Sequence, residues 1–399
     1  MNEEKARNVE TLWTAEFIGM SATNFFHLMA QYILIVGLPI YIMNEMKGGE
    51  LEAGLAMTFF QIGTVSSRPF AGRLIDSLHK GRLLLGATLA FFVIMLAFCF
   101  AHTEEALYTL RFLQGIEFAL GTTAAATLAA LVLPAAKKGT GIGYFALSTN
   151  LAMVVGPFIG LVLIGNLGAE AFFAFMIGIG VLTLLLANAR RLPDEVKLPA
   201  RKREGVHLSD FVAKEAIPPS LIGGLVFFAY GGIITFIPLY AKSLGLSSET
   251  SIFFAVFAAV IVLTRPVVGR IFDAHGADFT VYPGYIFFAV GMIVFSQAAG
   301  VIGLLVAAAV LGVGFGALSP AFQTMAVRSV PLARSGVATA TYFWSLDISV
   351  GLAAVLLGFV VSAFGYAMLY GIVGVAVIAL SALCYFLWRR LRAGEAKAA

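Results

Sequence analysis

Charge is scarce in this chain: only 12% of its 399 residues are Asp, Glu, Lys or Arg, about half the share a water-soluble globular chain carries. So little charge leaves no surface that water can solvate, which excludes a soluble multidomain enzyme, a coiled coil and a disordered chain. Cysteine is nearly absent as well. Cys99 and Cys384 each lie inside an apolar run, so neither a disulfide framework nor a metal–thiolate site is expected. No G-x-x-x-x-G-K-[ST] segment occurs, nor any metal-ligand cluster or triad pattern, so neither ATP hydrolysis, a cofactor nor enzymatic catalysis is expected. The N-terminal MNEEKARNVETLW leads into no short apolar region with a small-residue cleavage site, so the first span is expected to be its own insertion signal. The formal net charge of +4 is spread over loops and gives no argument for nucleic acid.

What the chain has instead is apolar length. Hydrophobic residues make up 60% of it and its mean hydropathy is +0.93. Twelve apolar runs fall at roughly 14–43, 52–74, 82–101, 105–133, 139–165, 169–189, 217–241, 250–272, 279–299, 301–328, 334–363 and 365–388. A spanning helix needs about 20 apolar residues. The runs are long and continuous rather than ten-residue alternations, which predicts helices and not barrel strands. Residues 190–216 form a charged connection that divides the chain into a bundle at 1–189 and a bundle at 217–399. With the N-terminus placed inside, 21 of the 26 lysines and arginines fall in inside segments. Only Lys47 and Lys242 fall outside, and Arg68, Arg111 and Arg265 lie within spans. The positive-inside rule therefore predicts cytoplasmic N- and C-termini.

The two halves repeat one another. Arg68-Pro-Phe-Ala-Gly72-Arg73-Leu-Ile-Asp76 matches Arg265-Pro-Val-Val-Gly269-Arg270-Ile-Phe-Asp273 at an offset of 197 residues. The same offset pairs Gly115 with Gly312, Gly139 with Gly336 and Asn150 with Asp347, and it drifts to 199 at Pro39/Pro238. Two six-span halves in parallel repeat follow from this alone.

R-P-x-x-G-R-x-x-D at the inner ends of spans 2 and 8 resembles the loop signature of the major facilitator superfamily, and the likeness extends over span count, halves and orientation. Gly72 and Gly269 allow close helix contact. Asp76 and Asp273 suit the positive ends of neighbouring helices or a nearby arginine. These loops are expected to hold the outward-facing state closed on the cytoplasmic side. The first copy departs in spacing: Asp76 stands five residues before Gly81, whereas Asp273 stands three before Gly276. In span 4, Arg111-Phe-Leu-Gln114-Gly115 resembles the R-x-x-Q-G of proton-coupled members. Arg111 either acts in transport or snorkels toward the outer end near Glu104. In span 5, Gly156-Pro157-Phe-Ile-Gly160 resembles the G-x-x-x-G-P-x-x-G-G of the family's antiporters, with Ala152 and Leu161 in place of two glycines. This resemblance implies export, with the Gly156–Pro157 bend packing the two bundles against leak.

Ionisable and polar groups inside spans are costly and read as functional. Asp347 in span 11 is the first candidate for a proton-loading carboxylate, since burial penalises its charged form and its repeat partner Asn150 cannot titrate. Glu117 in span 4 is the second, with Arg111 and His27 able to tune either. Glu117 is six residues from Arg111, off its helical stripe. In span 1, Glu16, Asn24, His27 and Gln31 share one face, which is expected to look into a wet cavity; His27 either titrates there or bonds a neighbouring helix. Asn24, Gln31, Asn150, Tyr230 and Trp344 are the candidate substrate-cavity residues.

The resulting expectation is an all-α membrane protein of twelve spanning helices working by alternating access in a bacterial inner membrane. It would be a monomer, without cofactor, metal or nucleic acid, whose partners are a small molecule, protons and lipid. The resemblance to the drug:proton antiporter branch implies proton-coupled efflux of a small amphipathic molecule. A proton symporter importing a sugar or organic acid, and a transport-dead membrane sensor, are the competing readings.

Overall fold

In the computed structural model, residues 11–48, 50–188, 207–246 and 249–398 are described. Residues 190–206, most of the charged connection expected between the halves, lie outside them. Among the described residues there are twelve long helices and no strand. They are α1 (Ala15–Asn44), α2 (Glu50–Ser77), α3 (Lys80–Phe98), α4 (Glu104–Val132), α5 (Lys138–Val162), α6 (Gly168–Asn188), α7 (Ile217–Ser243), α8 (Thr250–His275), α9 (Asp278–Ser296), α10 (Gly300–Arg328), α11 (Ser335–Met368) and α12 (Val375–Ala398). Among the described residues, nine stretches are long and apolar enough to cross a membrane. Two of these, 135–187 and 332–391, each hold a pair of helices, and α2 falls outside the nine.

The helix ends follow local chemistry. The Thr14 and Thr103 hydroxyls accept the Phe17 and Ala106 N–H groups at the starts of α1 and α4. The breaks inside the two paired stretches come at Gly168 (φ 83°) and Gly365 (φ 79°), both with ψ 178°. Only glycine adopts that conformation readily, and the two stand 197 residues apart. Each break lies beside a π-turn, at 163–167 and 369–374. The 3₁₀ turns before α5 and α11, Ala135–Lys137 and Leu332–Arg334, are also in repeat register. The duplication read from side chains is thus written into the backbone.

Contacts group the chain into two compact units. Unit 1 comprises 1–135, 148–214 and 330–341; unit 2 comprises 136–147, 215–329 and 342–399. The first turns of α5 and α11 therefore each belong to the unit of the other sequence half. Unit 1 has its apolar core around Ile33, Leu34, Phe91, Met95, Phe98, Phe172 and Met176. Its tightest crossing is α2 on α4, where the Cβ position of Gly63 would strike the Phe112 carbonyl and that of Gly115 the Phe60 carbonyl. Unit 2 is built around aromatic rings, with Tyr230 stacked on Phe315 at 4.1 Å between ring centres. Large apolar side chains stand outward on both units, among them Phe158 at 70% and Leu263 at 74% exposure, as suits a surface that meets lipid rather than water.

Candidate functional site

The polar stripe of α1 is used up by two other helices of unit 1. Asn24, His27 and Gln31 lie on one face by their spacing of three and four residues, and all are buried. Asn24 Nδ2 donates to Ser148 Oγ at 2.7 Å and to Thr149 Oγ1 at 3.2 Å on α5. Gln31 Oε1 accepts from Arg111 Nη1 at 3.2 Å and from Gln114 Nε2 at 3.3 Å on α4. His27 meets Glu117 of α4, Nε2 to Oε1, at 2.9 Å. The expectation that this face looks into a wet cavity is therefore corrected. In apolar surroundings the polar groups satisfy one another and bind α1 to its neighbours. Only Glu16, near the helix start, is half-buried.

The His27–Glu117 pair is a buried acid–base contact of unit 1. Both side chains are almost fully buried, at 1% and 3% exposure. His27 Nδ1 lies 3.1 Å from the Thr23 carbonyl, which can only accept, so Nδ1 carries a proton. The 2.9 Å contact on the other side then requires one more proton between Nε2 and Oε1, held either as imidazolium and carboxylate or as neutral imidazole and carboxylic acid. Either way the pair is neutral overall. Removing that proton leaves two acceptors facing each other and a buried negative charge. Glu117 Oε2 has no hydrogen-bond partner. The Phe91 ring stacks on the imidazole at 4.4 Å. Gly121, one turn after Glu117, makes the room: a Cβ there would stand 2.7 Å from Oε1 and 2.8 Å from Nε2.

Arg111 does not snorkel. It is fully buried, and all its hydrogen-bond partners are neutral. Nη1 donates to Gln114 Oε1 at 2.7 Å as well as to Gln31, Nε donates to the Ala56 carbonyl at 3.2 Å, and Nη2 lies 3.1 Å from Met57 Sδ. The guanidinium also sits over the Phe60 ring, 4.6 Å from its centre. Gly115, the last residue of the same motif, presses α4 onto α2, and its carbonyl accepts from Thr64 Oγ1 at 3.2 Å.

The duplicated motif places its carboxylates identically. Asp76 accepts from the Gly336 and Val337 N–H groups at 2.8 Å each, at the start of α11. Asp273 accepts from Gly139 and Thr140 at 2.9 and 2.7 Å, at the start of α5, and from Arg328 at 3.0 Å. Both are helix N-termini, where a negative charge is favoured. The longer spacing after Asp76 leaves this contact unchanged; it alters the following turn, where His79 caps α3 and no glycine like Gly276 (φ 90°) is used. Gly72 and Gly269 permit these approaches, with a Cβ meeting Val337 Cα at 2.9 Å and Thr140 Cα at 2.6 Å. Arg73 lies over the Phe211 ring, 5.0 Å from its centre, and Arg270 Nε donates to the Pro266 carbonyl at 3.0 Å.

The remaining candidates are dispersed. Gly156 and Gly160 face α1: a Cβ on the first would stand 2.6 Å from Tyr32 Cβ and on the second 3.0 Å from the Ile33 carbonyl. These glycines, with Pro157 between them, close α5 onto α1 within unit 1. Asn150 is buried with Nδ2 unpartnered. Tyr230 is buried in the aromatic cluster of unit 2, Trp344 is half-buried with Nε1 unpartnered, and Asp347 is half-buried. Gly121, Thr23 and Phe91 complete the His27–Glu117 site and were not candidates. Nothing in their own segments marks them until the helices are placed side by side.

The sequence matches the Major Facilitator Superfamily over residues 20–344 and, in a second match, 249–399. The chain belongs to the major facilitator superfamily. This major facilitator chain is therefore a multi-pass membrane transporter of small-molecule substrates and not an enzyme. It is 27% identical over 373 residues to an uncharacterized MFS-type transporter of Burkholderia pseudomallei, covering 90% of this chain and 89% of that one. Its fold is similar to that of a bacterial homologue of the iron transporter ferroportin in the outward-facing state, with TM-score 0.76 and 14% identity over 95% of this chain and 100% of that one. It is similar also to the Escherichia coli fucose:proton symporter, with TM-score 0.74 and 15% identity over 93% and 98%.

Proposed function

We propose that this transporter exports a small amphipathic molecule in exchange for protons, by alternating access, as a monomer in a bacterial inner membrane with both termini cytoplasmic. The observation that carries proton coupling is the buried His27–Glu117 pair. It holds one proton in a single 2.9 Å hydrogen bond, it has a second carboxylate oxygen free to accept another, and it shares its helices with the Arg111–Gln114–Gln31 network. A buried neutral pair that becomes charged on losing or gaining a proton has different stability in wet and dry surroundings, which is what couples protonation to a change of state. This moves the first assignment from Asp347 to Glu117, because Asp347 is only half-buried; Asp347 is assigned to the substrate side of the cycle. Export rests on the likeness of Gly156–Pro157–Phe–Ile–Gly160 to the antiporter motif, and the orientation on the positive-inside distribution. The functional halves are taken as 1–189 and 217–399, joined through 190–216.

The test uses proteoliposomes and a fluorescent amphipathic amine as probe. Wild type accumulates the dye when the lumen is acid, and Glu117→Gln reduces that accumulation to the protein-free background while Asp347→Asn retains proton-driven flux. Accumulation driven only by an acid exterior would reverse the assigned direction. Gradient-driven flux surviving Glu117→Gln and lost in Asp347→Asn would return the coupling role to Asp347.

A further inference from the structure

The two arginines of the duplicated motif have opposite surroundings. In unit 1, Arg68 Nη1 donates to the Ala119 carbonyl at 3.1 Å and to the Thr122 and Thr123 hydroxyls at 2.8 and 2.9 Å. In repeat register those hydroxyls become Ser319 and Pro320. Proline has no hydroxyl, and the Ser319 hydroxyl makes no hydrogen bond to Arg265 Nε or Nη1. Arg265 is just as deeply buried, at 2% exposure, yet its Nε and Nη1 have no hydrogen-bond partner. The buried Thr280 hydroxyl on α9 also lacks one. Both side chains line one pocket of unit 2, together with Gly139, Gly143, Gly269 and Thr324.

The unpartnered guanidinium N–H groups can only donate and the Thr280 hydroxyl can donate as well, so an acceptor in the pocket satisfies both. The neighbouring carboxylates are committed. Asp273 is held by Gly139, Thr140 and Arg328, and Asp278 by Tyr385 and Arg389. Arg265 Nε and Nη1 are thus left without a carboxylate, and an uncompensated buried guanidinium is costly. The pocket has room for little more than one water-sized sphere, which excludes phosphate, sulfate and organic acids. We propose that unit 2 binds a small inorganic monoanion of chloride size between the Arg265 guanidinium and the Thr280 hydroxyl. The anion takes the place that Thr122 and Thr123 fill for Arg68, supplying an acceptor and the missing negative charge together.

The test is thermal unfolding of the purified full chain in detergent, at constant sodium concentration, with chloride exchanged for gluconate. Chloride is expected to raise the unfolding temperature saturably, and gluconate, too large to enter, is not. Arg265→Met should abolish the chloride response, and Arg68→Met should keep it. Thr280→Val should raise the half-saturating chloride concentration about tenfold or more, the loss of one hydrogen bond to a charged group. Equal unfolding temperatures in chloride and gluconate, or a chloride response that persists in Arg265→Met, would overturn the proposal. If Arg265→Met does not fold, bromide anomalous scattering decides on the wild-type chain. A peak between residues 265 and 280 supports the site, and none at saturating bromide refutes it.

Discussion

On the buried faces of α1 and α4, unit 1 carries His27, Gln31, Arg111, Gln114 and Glu117; at the corresponding positions of α7 and α10, unit 2 carries Val226, Tyr230, Ala308, Leu311 and Gly314. The same backbone plan thus encloses a hydrogen-bonded network in one unit and stacked rings in the other. In unit 2 the missing side chain at Gly314 lets α9 close in, so that a Cβ there would stand 2.5 Å from the Phe288 backbone nitrogen. In unit 1 the same position holds Glu117, and the residue matching Phe288 is Phe91, whose ring lies on His27. Lipid supplies no hydrophobic drive for helices to associate. At these positions unit 1 answers with buried polar bonds, unit 2 with close backbone approach and ring contacts. The comparison teaches that duplication fixed the helix plan and left the chemistry of each interior free to diverge.

Four further measurements break or sharpen that contrast. The largest effect is expected from Gly314→Glu, which imposes the unit 1 residue on the unit 2 site. It forces α9 away and buries a carboxylate with no histidine to meet it, at a cost of several kcal/mol. No monodisperse protein should survive detergent extraction, and a folded variant would show that the two interiors are interchangeable. Next comes the arginine pair. In chloride-free medium Arg68→Met should lower stability by about 2 kcal/mol, since it orphans buried acceptors. Arg265→Met should be neutral or stabilising by roughly 1–3 kcal/mol, since it removes an unmatched buried charge. Chemical denaturation in detergent reads both, and equal losses would erase the contrast.

The carboxylates of the duplicated motif should behave alike. Asp76→Asn and Asp273→Asn each lose the charged part of a helix N-terminal contact, about 1 kcal/mol. A threefold larger loss for either, by the same denaturation, would mean that the two copies bear unequal load. The smallest effect belongs to Arg328→Ala. Its ion pair with Asp273 is 38% exposed on the arginine side and should contribute less than about 1 kcal/mol, diminishing with salt. A larger, salt-insensitive loss would show that unit 2 depends on this charge pair.

Much of the fold was legible in the residue order. The twelve apolar runs predict helix positions mostly to within a few residues, because a spanning segment must satisfy its own backbone and so announces itself by length and hydropathy. The repeat was legible from Arg68/Arg265 and Asp76/Asp273, because proline, glycine and charge at a helix end leave a sharp pattern. The polar positions of α1 were legible too, as a periodicity. What they face was not: a helical period says which residues share a side and nothing about which helix lies opposite.

The pairing of His27 with Glu117 was therefore decided by tertiary structure alone. The two are 90 residues apart and meet only because Gly121 opens α4 at that depth and Phe91 closes the third side. The same holds for Arg265, whose sequence context is nearly that of Arg68. Pro320 removes one of the two hydroxyls that serve Arg68, and the hydroxyl of Ser319 makes no bond to Arg265 Nε or Nη1. Sequence determined which segments enter the membrane and which groups could ionise there, since both follow from the transfer of a residue from water to lipid. Tertiary packing decided which of those groups are satisfied, because a buried hydrogen bond depends on rotations and separations of helices that no single helix encodes.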